Sequence, residues 1–308
     1  MNTRRRARVA LAYSGGLNGS VAVPWLAAAH DVDVVTMTLD LGQHEELEGV
    51  RDRALATGAV RAHVLDAREE LACGTIAQAL EADALAADRW PLVSALASPV
   101  LASKLVEIAR IEQVTLVAHG AVDAASAARI EAVVRALDPR LTVLAPARDW
   151  NMTRLDTIAY ARKRRIVVPA TPASADENIW GRQVTGPATD VWDEPPEEWF
   201  TLTQPAAACP GEPAYLEIAF ERGLPTAVNG VQMPLVDLID TVGMLAGSHG
   251  VGRLDVVGPR GREVAEAPAA VVLHLAHAQL SRLATAPPES ADGAVRLKLF
   301  KGDVEVEV

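Results

Sequence analysis

Ala12-Tyr13-Ser14-Gly15-Gly16-Leu17-Asn18-Gly19-Ser20 directly follows an apolar run at residues 9–11. The run predicts a strand, and residues 20–29, with Trp25 and Leu26 inward, predict a helix. A strand feeding a Gly-Gly loop and then a helix is the architecture of a phosphate cradle. Gly15 and Gly16 permit backbone conformations closed to other residues, so consecutive N–H groups can point at one anion. Ser14 and Ser20 add hydroxyl donors, and the helix N-terminus supplies partial positive charge. No Gly-Lys-Ser/Thr follows, so this is not a Walker loop, nor is it the dinucleotide pattern Gly-x-Gly-x-x-Gly. Ser-Gly-Gly alone is an ordinary turn; its place behind an N-terminal strand gives it weight.

Working outward, the first half alternates short β-branched runs with helical patterns, which predicts a parallel sheet covered by helices. Strands are expected at 9–13, 32–39, 62–66, 115–119 and 142–145, with helices at 20–29, 47–57, 96–111, 124–137 and 153–164. The Gly-Gly loop, Asp40 and His119-Gly120 then fall at carboxyl ends of strands, where open α/β sheets bind ligands. Residues 171–213 are rich in Pro, Asp and Glu and predict an extended crossing with little regular structure. Beyond it, strands at 215–221, 226–228, 253–257 and 295–300 and helices at 235–245 and 269–283 predict an α+β unit.

The bulk properties narrow the function. Half of the 308 residues are hydrophobic, so two packed units can form. A net charge of −11 argues against a nucleic-acid surface, where a basic stripe is needed. No apolar stretch is long enough to span a bilayer, and the apolar run behind Arg4-Arg5-Arg6 is too short for a signal peptide. Cys73 and Cys209 lack metal spacing and fit a reducing, cytoplasmic setting. His274 and His277 could share a helix face, but no third ligand lies nearby in sequence.

The loop resembles the pyrophosphate loop of ATP pyrophosphatases, which split ATP into AMP and pyrophosphate to adenylate a substrate. Further motifs occur in one order along the chain: Asp40-Leu41-Gly42-Gln43, Asp66-Ala67-Arg68-Glu69-Glu70, Ala118-His119-Gly120 and Asp176-Glu177-Asn178-Ile179-Trp180-Gly181-Arg182. Then come His249-Gly250-Val251-Gly252-Arg253, Glu266-Ala267-Pro268-Ala269 and Val295-Arg296-Leu297-Lys298-Leu299. Together they resemble argininosuccinate synthase, a family of arginine biosynthesis. The resemblance implies an α/β fold: a parallel-sheet PP-loop (adenine nucleotide alpha hydrolase-like) domain at 1–168 and a shortened α+β domain at 169–308. It implies condensation of citrulline with aspartate, using ATP and Mg²⁺, through a citrullyl-adenylate.

By the same resemblance, Ala12, Tyr13, Ser14, Gly15, Gly16, Leu17 and Ser20 line the nucleotide, with His119 and Gly120 near the adenylate. Leu39 stands where the family has a small residue near the adenine. Ser14, Asn18 and Ser20 are the candidate catalytic groups. The family loop continues Leu-Asp-Thr-Ser, so Asn18 replaces an aspartate and keeps one carbonyl oxygen as a Mg²⁺ ligand. Gly19 replaces the threonine.

The amino-acid pockets depart further. Val122, Ser126 and Ala127 replace a threonine and an Asn-Asp pair, leaving Arg129 as an anion anchor. Trp90 replaces a tyrosine, Ala95 a serine, Ser98 an arginine and Gln183 a serine, while Ser174 matches. Gly258 and Ala265 replace a glutamate and a tyrosine. Lost partners of this kind change which amino acid is selected. The expectation is therefore an AMP-forming ligase that adenylates a substrate other than citrulline for attack by an amine. The alternatives are a non-catalytic nucleotide- or partner-binding relative and, third, argininosuccinate synthesis itself. Expected partners are ATP and a small-molecule substrate, without nucleic acid or membrane. A homodimer is expected rather than the family tetramer, because the segments that build the tetramer, near 284–293 and after the last strand, are missing and the apolar terminus needs covering.

Overall fold

Branched side chains pack well on a sheet covered on both faces, and the valine-rich runs of the first half become such strands. In chain order come β1 (Ala7–Ala12), α1 (Leu17–His30), β2 (Val32–Asp40), α2 (Leu47–Ala56) and β3 (Arg61–Asp66). A helical stretch follows: α3 (Arg68–Glu70), a π-helical segment (Leu71–Ile76) and α4 (Ala77–Glu81). Next are α5 (Val93–Glu112), β4 (Leu116–Ala118), α6 (Ala124–Leu137), β5 (Thr142–Leu144), α7 (Pro146–Asp149) and α8 (Arg154–Lys163). The five strands form one parallel sheet in the order β3-β2-β1-β4-β5. Val9 and Leu11 of β1 pack with Val23 and Leu26 of α1 and with Val50 and Ala54 of α2. Thr153 and Asp156 close a capping box that starts α8.

The later elements are β6 (Ser174–Asn178), β7 (Gly181–Gly186), β8 (Ala214–Glu221), β9 (Leu224–Val228) and β10 (Val231–Gln232). They continue with α9 (Leu235–Ser248), β11 (Arg253–Gly258), β12 (Gly261–Glu266), α10 (Pro268–Leu283), β13 (Gly293–Phe300) and β14 (Asp303–Glu307). They build two antiparallel sheets, β10-β9-β8-β13-β14 and β11-β12-β7-β6. The structure, a computed structural model, describes residues 6–82, 91–167, 174–186, 193–258, 261–283 and 291–307.

Two compact units result: Met1–Asp40 with His44–Ala67 and Ala97–Ala170, and Leu41–Gln43 with Arg68–Leu96 and Thr171–Val308. The second unit thus takes in two segments from early in the chain. Leu71, Ile76 and Leu80 are fully buried there, and α4 packs on α10 and β9.

Within the stretch expected to have little regular structure, residues 174–178 and 181–186 form strands. β6 and β7 form a hairpin with Asp176 opposite Gln183 and Asn178 opposite Gly181. Ser-Ala-Asp-Glu-Asn has no β-branched or aromatic residue, so pairing sets this strand, not propensity. β7 is in turn held by β12, where Val184 and Val264 pack with Trp199. Gly181, at φ 149°, closes the turn where a side chain would strike the Glu266 carbonyl.

Glu266 is buried, and its carboxylate accepts the N–H groups of Thr201, Leu202 and Thr203 at 2.8, 2.8 and 2.9 Å and the Thr203 hydroxyl at 2.7 Å. Arg253 ties the same segment through Thr203 and a two-pronged pair with Glu197.

The last strands are covered by their own chain. β13 pairs with β8 and β14, and Val295, Leu297 and Leu299 are buried. Asp303, Glu305 and Glu307 are exposed along the edge strand β14, a pattern that discourages edge pairing. The premise for expecting a homodimer, an uncovered apolar terminus, is therefore not met. Among the described residues no helix is long and apolar enough to cross a membrane.

Candidate active site

The strand order of the parallel sheet reverses between β1 and β4. The chain leaves β1 toward β2 on one side and returns to β4 on the other. Ligands of open α/β sheets lie outside the carboxyl ends of strands at such a switch point. The loops after β1 and β4 flank that crevice and approach closely, since a Cβ on Gly120 would lie 3.8 Å from the Gly19 nitrogen.

The loop after β1 is held from below. The Tyr13 N–H donates to the Met37 carbonyl at 2.8 Å, extending the sheet pairing by one residue. Ala12 and Tyr13 are buried beneath the loop, Ser14 is exposed, and Gly16, Leu17 and Asn18 are half-buried. Gly15 adopts φ +76°, and its carbonyl accepts Arg53 Nη1 at 2.8 Å and the Ser20 hydroxyl at 3.4 Å. Ser20 is fully buried and shares a 3.0 Å hydrogen bond with the Tyr13 hydroxyl. Burial pushes the Tyr13 phenol above its usual range, so it stays protonated. Ser20 therefore braces the loop from behind, whereas Ser14 is open to a ligand.

Gly16 is the N-cap of α1, and no side chain caps that end. The first-turn N–H groups have no partner within the helix and carry the positive end of its dipole. A loop with a left-handed glycine, an uncapped helix start and an exposed serine can hold a polyphosphate. Leu39 lies on β2, two residues past Met37, buried and opposite Leu65 of β3.

His119 follows β4 and is 1% exposed. Its Nδ1 accepts the Ala121 N–H at 3.3 Å, so in the neutral ring Nε2 carries the proton. That nitrogen lies 3.7 Å from Glu131, beyond hydrogen-bond reach. Burial pushes the His119 pKa below its usual 6.5, against the pull of Glu131, which also pairs with Arg148 at 2.9 Å.

The residues expected to reshape the amino-acid pockets are differently placed. Val122 is 71% exposed, and Ala127 is buried among the core residues. Asp123 caps α6 through the Ser126 N–H, and Arg129 Nη2 donates to the Ser126 hydroxyl at 3.0 Å. Ser98 is buried. In the second unit, Ser174 is exposed on β6, and Gln183 of β7 lies between Asp176 and the buried Ala265 in one cross-strand row. Ser94 joins that row, donating to Asp176 Oδ2 at 2.7 Å and lying 3.5 Å from Gln183 Oε1. Trp90 lies outside the described residues. Sequence reasoning missed Ser94 and Arg53. Ser94 could have been found as a hydroxyl beside the substituted stretch, while Arg53 reads as an ordinary solvated helix charge.

Residues 8–167 match the family model for the argininosuccinate synthase N-terminal HUP domain, and residues 173–289 match the one for the C-terminal domain. Over 286 residues, the chain is 46% identical to an argininosuccinate synthase of Rubrobacter xylanophilus, covering 90% of this chain and 70% of that protein. The chain belongs to the argininosuccinate synthase family. A Bacillus thuringiensis argininosuccinate synthase is 42% identical over 90% of this chain and 71% of its own length. Among solved structures, the U34-tRNA thiolase NcsA of Methanococcus maripaludis shares 14% identity, covering 54% of this chain and 59% of that one at a TM-score of 0.38, too loose a likeness to bear on function.

Identity at this level across both domains overturns the expectation of a ligase for a substrate other than citrulline, and with it the non-catalytic alternative. The inference from a divergent substrate pocket gave too much weight to single positions.

Proposed function

We propose that the chain condenses citrulline with aspartate, cleaving ATP to AMP and pyrophosphate. The observation that supports this is sustained identity to argininosuccinate synthases through both domains. In the first step the ureido oxygen of citrulline attacks the α-phosphorus, and the bond to pyrophosphate breaks. The aspartate amine then attacks the ureido carbon, the bond to AMP breaks, and the amine gives up a proton.

In the first step Gly16 and the open N–H groups of α1 hold the phosphates, and the exposed Ser14 hydroxyl adds a donor. Each such bond to a charged group contributes about 1.5–3 kcal/mol. The α1 N-terminus favours the charge that builds on departing pyrophosphate by roughly 0.3–1 kcal/mol. Neutral His119 sits buried after β4 and adds no positive charge there. Asn18 offers one carbonyl oxygen, a donor set that fits Mg²⁺ carried mainly by nucleotide phosphates. When bound, that ion neutralises triphosphate charge.

The test is to incubate the purified protein with citrulline, aspartate, ATP and Mg²⁺. Argininosuccinate, AMP and pyrophosphate should appear in equal amounts. Folded protein that binds ATP yet forms no argininosuccinate would refute the proposal.

A further inference from the structure

An anion-binding loop works only if its N–H groups face the anion and its carbonyls face away. Gly15 and Gly16 are the least able to enforce this, because two adjacent glycines let the peptide between them rotate readily. In a trans peptide the carbonyl and the following N–H point in opposite directions. Whatever holds the Gly15 carbonyl therefore also aims the Gly16 N–H.

The Gly15 carbonyl is held by α2. Arg53 Nη1 donates to it at 2.8 Å, and the Ser20 hydroxyl assists at 3.4 Å. The guanidinium also fills the space over the Gly15 α-carbon, where an added Cβ would lie 2.5 Å from Nη1 and 3.1 Å from a Val50 methyl. Glu45 Oε1 lies 3.3 Å from that same Nη1, and the arginine side chain is 22% exposed. A charged donor on a neutral carbonyl makes a stronger bond than a neutral one. Arg53 thus opposes rotation of the peptide whose N–H belongs to Gly16, the N-cap of α1.

We propose that Arg53 is a positioning residue for the nucleotide. It latches the Gly15–Gly16 peptide so that the Gly16 N–H faces the phosphates, without touching them itself. The proposal rests on the reading of this loop as the ATP site. It does not depend on which amino acids are joined.

The test compares Arg53→Met and Arg53→Lys with the parent protein by calorimetric titration of ATP, inorganic pyrophosphate and AMP. Arg53→Met should weaken ATP and pyrophosphate about tenfold or more, the effect of one charged hydrogen bond, and leave AMP within about twofold. Arg53→Lys, which retains a charged donor, should recover most of the loss. In turnover, KM for ATP should rise while KM for the amino-acid substrates stays unchanged. General loosening of the fold would weaken AMP and pyrophosphate alike, and that outcome overturns the proposal. So does unchanged pyrophosphate affinity in Arg53→Met. Should the Met variant not fold, Arg53→Gln carries the same comparison. A parallel Gly16→Val variant guards the underlying reading. If it binds ATP like the parent, the loop is not the ATP site; if it loses ATP while Arg53→Met does not, the latch alone is wrong.

Discussion

Gly15 and Gly16 are neighbours in one loop, yet substitution should act on opposite properties. Gly16 has φ −72° and ψ 176°, an extended conformation open to any residue, and a Cβ there would meet the Ser14 oxygen alone, at 3.7 Å. Gly16→Val should therefore leave the fold nearly intact. A branched residue at an N-cap costs about 1 kcal/mol, offset in part by about 0.4–1 kcal/mol from a less flexible unfolded chain. The new side chain occupies the space in front of the helix N-terminus, where phosphate oxygens would sit. Loss of two charged hydrogen bonds at about 1.5 kcal/mol each gives about 3 kcal/mol, or roughly a hundredfold in affinity. Gly15→Ala reverses the pattern. At φ +76° an L side chain costs about 1–2 kcal/mol, and crowding against Val50 and Arg53 adds about 1 kcal/mol or more. Urea unfolding should show a deficit of about 2–3 kcal/mol for Gly15→Ala and under about 1 kcal/mol for Gly16→Val. ATP titration should show the large loss in Gly16→Val. If that variant kept ATP affinity within about threefold, the phosphates would bind elsewhere; if it unfolded as easily as Gly15→Ala, the backbone argument would be wrong.

Glu112, whose side chain is 1% exposed, accepts Arg8, Arg61 and His63 at 2.9, 2.7 and 2.8 Å. Glu112→Gln should destabilise the first unit by about 3 kcal/mol in urea unfolding, because two arginines lose a buried counter-charge. Burial pushes the Glu112 carboxyl up, but hydrogen bonds from His63 and Arg61 prevail and hold it below 4.5. Its contribution is therefore present above pH 4.5 and is lost as pH falls through the lower folded value. A Gln variant with the same acid profile as the parent would contradict this. The His119 ring should titrate below 6.5 by NMR, so its contribution is full above pH 6.5 and declines as pH drops below it; a midpoint at or above 6.5 would refute the assigned environment. Asn18→Asp should tighten ATP only with Mg²⁺ and raise stability by roughly 0.5 kcal/mol through the α1 dipole. A gain that persists in EDTA would show that residue 18 does not act through the metal.

The parallel sheet was legible because β1 and β2 are rich in β-branched and apolar residues between helical patterns, and α6 matched its helical pattern at both ends, Ala124 and Leu137. The loop after β1 was legible as a turn between strand and helix because Gly15 needs a left-handed backbone conformation. β6 was not, since none of its residues favours a strand; β14 was read only as part of an apolar, β-rich terminus, without the turn that folds it back on β13. At the site, sequence order shows which residues border a loop but not which way they face. Ser20, read as a phosphate donor, is buried and bonded to Tyr13 and the Gly15 carbonyl, and Val122, read as facing an amino-acid substrate, is exposed. Arg53 lies 38 residues from the carbonyl it holds, and no local pattern marks such a partner.

Glu266 belongs to a motif shared with enzymes, yet its four acceptor bonds all go to residues 201–203 of its own chain. A stretch with the composition of a protease-sensitive tether is thereby riveted down, because a protease must draw several residues into extended form and these cannot leave without stranding a buried carboxylate. The acid has no need of a substrate to be indispensable. Digestion of the folded protein should spare Thr201–Thr203, and Glu266→Ala should open that segment to the enzyme long before the rest of the unit unfolds.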